Sequence, residues 1–401
     1  MRTVLQRCAR FTTSSAAARV AHAASADGSH GVFTLGTAKL TYHATGQARV
    51  IDIDHTLVPP EMRGRGVAEV LCEAAFAHAR SASLRVVPSC SYVATRFVPR
   101  NVDSVGDVAL ASLDTSVAGL QIETRHDGVA TLRLTDARRR NPLHDRLLVR
   151  MRDWLRGLHG RWPEHEGADA DADADGGGAT APRCVVIEAE GPAFSAGHDF
   201  GDFRGATAAD ARRVLDVCAE VASLLQAIPQ VSVAAVSGAA LAGGAQLAAS
   251  CDLVLAHADL ARFELTGVHG RGFCTTPVVG YLGRLAPRAA LELGVLGESV
   301  DASEAVRLGL ANRAVPADAW RSTVDGLARR LASNFNRNVA DGKRALYGAA
   351  AAPTLGGRYA VATPTMVEMM GSDNWQQHMR RFTERKAAPT PPPPPGRSAD
   401  E

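Results

Sequence analysis

Three short, almost wholly apolar segments constrain the fold of this chain most strongly. They read CVVIEAEG, VSVAAVSG and DLVLAHA, at residues 184–191, 231–238 and 252–258. Strands that are buried on both faces have such continuous apolar runs, and they occur where helices cover both sides of a parallel sheet. Helical stretches separate the segments and continue from residue 287 towards the tail. This alternation predicts an α/β domain with crossover connections.

The stretch SGAALAGGAQLAASCD, residues 237–252, joins the second apolar segment to the helix that follows it. It contains three glycines, many other small residues and a single amide, Gln246. Small residues let a ligand approach the backbone, and the first turn of a helix presents unpaired N–H groups. The alternative is that the glycines allow close packing of helix against sheet, which is most plausible for Gly244. The turn is therefore a candidate ligand site.

A hairpin and two helices complete the pattern of this domain. Residues 120–136 predict a strand hairpin that turns at Asp127 and Gly128. Residues 142–162 have the period of an amphipathic helix opened by a proline, and residues 208–228 predict a long helix.

The first hundred residues follow a different pattern. Residues 31–59 alternate apolar and polar side chains in short runs, which predicts a meander of strands. Residues 59–83 predict a helix, and residues 84–98 predict a strand followed by a short helix. We therefore expect a small α+β domain over residues 27–102, joined by a polar linker at 103–116.

Both ends of the chain have unusual compositions. Residues 1–26 contain four arginines, many Ser and Ala residues, no acidic residue and no continuous apolar segment. This composition is typical of a mitochondrial transit peptide, which predicts a matrix location, and a disordered start is the alternative. Residues 388–401 are rich in proline and predict a polyproline-type tail without a fold.

Residues 167–182, GADADADADGGGATAP, interrupt the α/β pattern. Four aspartates suggest a calcium site, but a regular Asp-Ala repeat lacks the glycine-turned ligand spacing of calcium loops. A disordered insertion into the domain, which we place at 117–387, is the favoured interpretation.

Composition excludes several classes of function. The 401 residues are 46% hydrophobic, enough for two domains, and no apolar run approaches the length of a membrane span. A net charge of +2 gives no broad basic surface for nucleic acid. Seven cysteines without a CxxC spacing argue for reduced thiols, and against a metal site or a disulfide framework.

Three segments carry a resemblance to a known family. EGPAFSAGHDFGDF at 190–203, the glycine-rich stretch with its flanks at 234–256, and residues 282–316 are similar, in this order, to the crotonase superfamily, the enoyl-CoA hydratase/isomerase family. The resemblance implies an α/β fold, the crotonase (ClpP-like) spiral of ββα units with C-terminal helices. It also implies acyl-CoA ligands without a tightly bound cofactor, a role in fatty-acyl metabolism, and a homotrimer that can double to a hexamer.

In that family two backbone N–H groups form an oxyanion hole, which polarises the thioester carbonyl and stabilises an enolate. The resemblance places these donors at His198 and Gly243, and it places Ala196 and Asp199 near the adenine. The segment before NPL lies near the adenine and phosphates in the family. Its candidates for phosphate contacts are Arg138, Arg139 and Arg140, with a solvated basic turn as the alternative.

In the family, one glutamate delivers the water and a second protonates the α-carbon, and the chain departs from the family at both positions. Gln246 and Gly267 stand at those positions, and neither residue can titrate. Glu264 lies three residues before Gly267, and His198 or His269 could protonate a product. Decarboxylation of a malonyl-type thioester needs the oxyanion hole but no base. The sequence therefore predicts an acyl-CoA lyase with weak hydratase activity, or a non-catalytic acyl-CoA binding or scaffold protein.

The first domain resembles the GCN5-related N-acetyltransferases, whose pyrophosphate loop has the pattern Arg or Gln, two residues, Gly, one residue, Gly or Ala. The corresponding residues here are Arg63, Gly64, Arg65, Gly66 and Ala68. Backbone N–H groups at a helix start suit a pyrophosphate, so acetyl-CoA is the expected ligand. Cys90 and Tyr92 stand where a thiol or a phenol could take part in acyl transfer, and a buried structural cysteine is the alternative for Cys90.

Overall fold

The computed structural model describes residues 20–45, 49–159 and 181–387 of the chain. The described residues fall into two compact units, one that ends at Phe335 and one that begins at Asn336. Most of the predicted leader, most of the predicted insertion and all of the proline-rich tail lie outside the described residues.

The first sheet has five strands in sequence order. The first four form the predicted antiparallel meander, and the fifth runs parallel to the fourth. Apolar side chains of the sheet, such as Leu40 and Ile53, pack against Leu71 and Phe76 of the covering helix. The elements are β1 (Ala21–Ala24), β2 (His30–Leu35), β3 (Ala38–Ala44), β4 (Val50–Leu57), α1 (Val67–Ser81) and β5 (Arg85–Val87).

Two strands lie where the sequence predicts none. β1 falls within residues 1–26, the predicted leader, and pairs antiparallel with β2. β6 (Leu110–Val117) falls in the segment predicted as a linker, residues 103–116, and pairs antiparallel with β7 (Leu120–Arg125). Strand pairing satisfies the backbone N–H and C=O groups of these residues, and composition does not report that pairing. The leader over residues 1–26 and the linker over residues 103–116 stay predictions.

The remaining elements up to Phe335 follow the predicted alternation of strands and helices. They are β8 (Val129–Leu134), α2 (Asp145–His159), β9 (Cys184–Ala189), β10 (Ala193–Ser195), α3 (Ala208–Ala227), β11 (Val231–Val236), β12 (Ala239–Leu241), α4 (Gly243–Ser250), β13 (Leu253–His257), β14 (Arg262–Glu264), α5 (Thr275–Leu282), α6 (Pro287–Leu296), β15 (Val300–Asp301), α7 (Ala302–Leu308), β16 (Arg313–Val315) and α8 (Trp320–Asn334).

Short helical turns lie between these elements. They span Pro60–Met62, Val93–Phe97, Val98–Arg100, Val102–Val105, Ala137–Arg139, Phe200–Phe203, Thr266–Gly270 and Ala317–Ala319.

A seven-stranded sheet in the order β16-β13-β11-β9-β8-β7-β6 forms the centre of the α/β domain. Its strands from β8 to β16 run parallel, as their apolar runs predict, whereas β6, β7 and β8 pair antiparallel. A smaller sheet has the order β10-β12-β14-β15. Each of β9, β11 and β13 is followed by a short strand of the smaller sheet and then by a helix, so the predicted spiral of ββα units is confirmed.

Ion pairs connect the five-stranded sheet to the α/β domain within the first unit. Arg85 of β5 lies 3.3 Å from the carboxylate of Glu123, whose side chain is fully buried on β7. Asp107 accepts hydrogen bonds from Arg80 of α1 at 2.7 Å and from Arg329 of α8 at 3.1 Å. These contacts hold the small domain against the large sheet.

The described part of the second unit has three helices, α9 (Arg337–Ala351), α10 (Leu355–Gly371) and α11 (Asp373–Ala387). Several of its large apolar side chains are exposed, including Leu355, Tyr359, Val367 and Phe382. Among the described residues, no helix has both the length and the apolar character needed to cross a membrane.

Candidate functional site

The glycine-rich turn places the N-terminus of α4 at the end of the smaller sheet. Ala242, between β12 and α4, has φ 45° and ψ −112°, a conformation that residues with a side chain rarely adopt. Its N–H donates to the Glu264 carbonyl at 2.9 Å, and its carbonyl accepts from the Gln246 N–H at 3.0 Å. These bonds fix the turn, and all of α4 from Gly243 to Ser250 is buried.

The loop that carries His198 lies directly against this helix start. Gly197 has φ 91°, and a Cβ placed on it would lie 3.2 Å from the backbone nitrogen of Gly243. A Cβ placed on Gly243 would lie 3.5 Å from the backbone nitrogen of His198. Neither of these two N–H groups donates to a protein acceptor within residues 20–45, 49–159 and 181–387. The fold therefore brings together the two donors that the sequence predicts.

A buried network holds the His198 loop in place. The Ser195 hydroxyl donates to the Asn141 carbonyl at 2.7 Å and accepts from the Gly197 N–H at 3.1 Å. Asn141, with φ 53°, donates its amide to the carbonyls of Glu190 and Ala193 at 2.9 and 2.8 Å. Sequence reasoning missed both Ser195 and Asn141, although their place beside the SAGHD and NPL segments was an available signal.

Gly244 has a packing role. A Cβ on this residue would lie 2.4 Å from the carbonyl oxygen of Ser195 and 2.7 Å from the Ser195 Cβ. Any side chain here would push α4 away from β10, so the close-packing interpretation is correct for Gly244.

The imidazole of His198 lies beside Gly243. Its Cδ2 and Nε2 atoms would be 3.1 and 3.3 Å from a Cβ on Gly243, and its ring meets that of Phe203 edge-on at 5.7 Å. Both ring nitrogens are buried, and neither has a hydrogen-bond partner among the described residues. Burial lowers the pKa of His198, while the nearby Leu143 carbonyl and the Asp202 carboxylate act in the opposite direction.

Two further polar groups, on α4 and α5, are buried without a partner among the described residues. They are the Oε1 atom of Gln246 and the hydroxyl of Tyr281. Gln246 lies one turn after Gly243 on the same side of α4, and α5 packs against it, with a Cβ on Gly280 3.4 Å from the Gln246 carbonyl. Burial raises the pKa of Tyr281, so this phenol stays protonated. No sequence motif pointed to Tyr281.

Gly267 has no space for a side chain. A Cβ there would lie 2.7 Å from the Cys274 nitrogen and 2.9 Å from the Phe273 carbonyl carbon. The Gly267 N–H donates to the Cys274 sulfur at 3.1 Å. Glu264 instead contacts the exposed His269 ring at 3.2 Å, and β14 places it opposite Leu241, two residues before Gly243.

The predicted phosphate-binding arginines have different environments. Arg139 donates to Asp199 at 2.7 Å and lies 3.7 Å from Asp136, although it is more than half exposed. The Gly201 N–H and Arg139 lower the pKa of Asp199. Arg138 and Arg140 are exposed, and Ala196 is half-buried with its N–H bonded to the Arg140 carbonyl at 2.8 Å. Arg139 and Asp199, two residues that the sequence predicts to contact the ligand, therefore form an ion pair with each other.

The glycine loop of the first domain is open. Gly64 and Gly66 both have φ 74°. Within the part of the chain that the structure describes, a Cβ on either would meet nothing within 4 Å, and no side chain caps α1. Arg63 donates through Nε to the Val58 carbonyl at 3.0 Å. Arg65 is exposed, and Ala68 is half-buried in the first turn of α1.

Cys90 lies elsewhere in the first domain, at the end of the segment that follows β5. It is 8% exposed, and its thiol donates to the Thr56 hydroxyl at 3.4 Å. Tyr92 is half-buried, and burial raises its pKa. The enclosure of Cys90 favours the structural interpretation of this thiol.

Two family profiles match the chain. The enoyl-CoA hydratase/isomerase profile matches residues 178–390, and the GCN5-related N-acetyl-transferase profile matches residues 33–108. The chain is 34% identical over 264 residues to the enoyl-CoA hydratase domain-containing protein 3, mitochondrial, of Rattus norvegicus, covering 65% of this chain and 81% of that protein. It is 33% identical over 206 residues to the Homo sapiens protein of the same name, covering 51% of this chain and 67% of that protein.

Solved structures share the fold. An enoyl-CoA hydratase of Mycobacterium smegmatis superposes with a TM-score of 0.59 at 29% identity, over 67% of this chain and 97% of that one. The human enoyl Coenzyme A hydratase domain-containing protein 3 superposes with a TM-score of 0.58 at 27% identity, over 67% and 98%. With the profile covering more than half of its length, the chain belongs to the enoyl-CoA hydratase/isomerase family.

Proposed function

We propose that the first turn of α4 binds the thioester of an acyl-CoA, with the carbonyl oxygen between the N–H groups of His198 and Gly243. One observation carries this proposal. The N–H of Gly243 at the start of α4 and the N–H of His198 in the loop lie close together, and neither has a protein acceptor among the described residues. Such donors, aimed at a developing negative charge, stabilise an enolate, and the positive end of the helix dipole adds to the effect.

We propose that this site catalyses a lyase-type reaction, and that the reaction belongs to fatty-acyl metabolism. An enolate can form at this hole when a malonyl-type thioester loses carbon dioxide, because the electron pair of the broken C–C bond stays on the thioester, and this step requires no base. Hydration requires positioned acids and bases, and Gln246 and Gly267 provide neither. The alternative is a non-catalytic acyl-CoA binding or scaffold protein.

We further propose that the first domain binds acetyl-CoA at the start of α1 and acts as an acetyltransferase-like module. The open loop with Gly64 and Gly66 at positive φ supports a pyrophosphate contact. A mitochondrial matrix location is supported by the arginine-rich leader and by the word mitochondrial in the names of the relatives. Assembly as a homotrimer or hexamer stays a prediction from the family resemblance.

Infrared difference spectroscopy tests the oxyanion hole directly. We expect the carbonyl stretch of butanoyl-CoA labelled with ¹³C at the thioester to move to lower frequency when the protein is added, because two N–H donors polarise the bond. Unlabelled butanoyl-CoA identifies the band. A bound thioester whose band stays at its position in buffer would exclude the proposed hole.

Turnover distinguishes the enzyme from the binding protein. Incubation with a panel of enoyl- and malonyl-type thioesters, followed by mass spectrometry, is expected to show loss of carbon dioxide from a malonyl-type substrate and very slow hydration of enoyl substrates. Rapid hydration would contradict the assignment of Gln246 and Gly267. Binding without any product would favour the scaffold alternative.

A further inference from the structure

The oxyanion hole lacks a carboxylate at the two positions where the family has one, yet it has a titratable ring. Gln246 and Gly267 cannot accept a proton, whereas the imidazole of His198 lies against Gly243. The same residue therefore provides one backbone donor of the hole and a side-chain nitrogen next to the other donor.

The two ring nitrogens of His198 are available to interact with a ligand. Both are buried, and neither makes a hydrogen bond of good geometry within the described residues, although the Leu143 carbonyl lies near enough to raise the pKa of the ring. A buried polar atom without a partner is destabilising, and in a folded protein such an atom often belongs to a catalytic group or to a site that takes up water or an ion. A thioester held between the two N–H groups would bring its α-carbon, which is bonded to the carbonyl carbon, close to this ring.

Burial of the His198 ring favours its neutral form. Burial acts most strongly, and the positive end of α4 acts in the same direction. Asp202 favours the protonated form, as does the Leu143 carbonyl, while the neighbouring Asp199 is paired with Arg139. A neutral imidazole has one nitrogen that accepts a proton at physiological pH.

We propose that the imidazole of His198 is the proton-transfer group of this site, taking the α-proton of a bound acyl-CoA and returning it. The C–H bond at the α-carbon breaks, its electron pair forms the enolate, the enolate oxygen is held by the two backbone N–H groups, and the proton moves to the ring nitrogen. The reverse step delivers a proton from the ring to the α-carbon. This inference rests on the proposed acyl-CoA site.

The other titratable groups near α4 and α5 are less suitable. Burial raises the pKa of both Tyr281 and Cys274, and the Cys274 sulfur already accepts the Gly267 N–H. Glu264 is the competing base, but its carboxylate contacts His269. Replacing Glu264 therefore gives a matched control.

Hydrogen–deuterium exchange separates these groups. The full-length protein is incubated with butanoyl-CoA in D₂O, and mass spectrometry follows the two α-hydrogens. His198→Phe keeps the backbone N–H and an aromatic ring, slightly larger than imidazole, but removes both nitrogens. We expect the exchange rate to fall by ~10²-fold or more, because a positioned general base typically contributes a factor of this size to the rate. The infrared band of the bound carbonyl should stay shifted. Glu264→Gln is expected to exchange like the unmodified protein.

The pH profile of the unmodified protein is a second measurement that needs no variant. Exchange requires the neutral ring, so its rate is expected to be constant at neutral pH and to fall as pH drops through a pKa below that of an ordinary histidine. Undiminished exchange in His198→Phe, loss of exchange in Glu264→Gln instead, or a bound thioester that never exchanges would overturn the inference. Absence of any thioester binding would instead refute the proposed function on which it rests.

Discussion

At the scale of single residues, three glycines near the candidate site lack a side chain for three different reasons. Gly243 leaves space for the His198 ring and loop. Gly244 allows α4 to pack on Ser195, and Gly267 allows the backbone of Cys274 to approach. A glutamate at Gly267 would need this backbone to move, so a carboxylate cannot be introduced at this position by that substitution alone.

Gly244→Ala tests the packing role. We expect it to lower the free energy of unfolding by about 1–3 kcal/mol, because its methyl group would overlap the Ser195 backbone. Chemical denaturation gives the measurement. Gly157→Ala is the control, because Gly157 is exposed on α2 and no other described residue lies within 4 Å of an added Cβ. This substitution should stabilise the protein by about 0.5–1 kcal/mol. Equal effects of the two substitutions would argue against the packing role.

At the scale of elements, strand pairing decides where the first domain begins. β1 has only four residues, all exposed, and its sequence AHAA has no strand pattern. His22 nevertheless stacks on Phe33 at 4.2 Å between ring centroids, and its Nε2 atom lies 3.0 Å from the Tyr42 hydroxyl. These contacts with β2 and β3 keep the strand on the sheet.

A chain that begins at residue 27 should therefore be less stable than one that begins at residue 20. We expect a loss of about 1–2 kcal/mol from the aromatic contact and the hydrogen bond of His22. Amide hydrogen exchange of β2, whose outer edge β1 covers, is the measurement. Equal protection of β2 in the two truncated chains would show that β1 adds nothing, and the chain from residue 20 should match the full-length protein.

At the scale of the whole molecule, buried charges connect distant parts of the first unit. Arg133 contacts both Glu123 and Glu188, and Glu188 also accepts from Arg321 of α8 at 2.8 Å. Burial raises the pKa of Glu188, but Arg133 and Arg321 outweigh it and hold the pKa at about 2. With Arg85 on Glu123, the network extends from the five-stranded sheet to α8.

This network predicts a loss of stability in acid. An unfolded Glu188 binds its proton near pH 4.5, whereas the folded one does so only near pH 2, so its contribution is present above about pH 4.5 and is lost as pH falls towards 2. Glu188→Gln should cost about 3–5 kcal/mol at neutral pH, the cost of breaking a buried pair, and less at pH 3. Urea unfolding at both pH values measures this. Asp216→Asn, in an exposed pair on α3, should change stability by less than about 1 kcal/mol at either pH, and a Glu188→Gln effect equally small would contradict the prediction.

The sequence by itself determined the α/β alternation, the hairpin at Asp127 and Gly128 and the family, because apolar periodicity and local motifs act over short stretches. The neighbouring donors at His198 and Gly243 could be inferred only through the resemblance, since 45 positions separate them. Strands β1 and β6, the Arg139–Asp199 pair, the crowding at Gly267 and the unpartnered ring of His198 were decided by the tertiary structure. Each depends on which distant segment supplies a hydrogen bond, a charge or a van der Waals contact, and one-dimensional patterns do not carry that information.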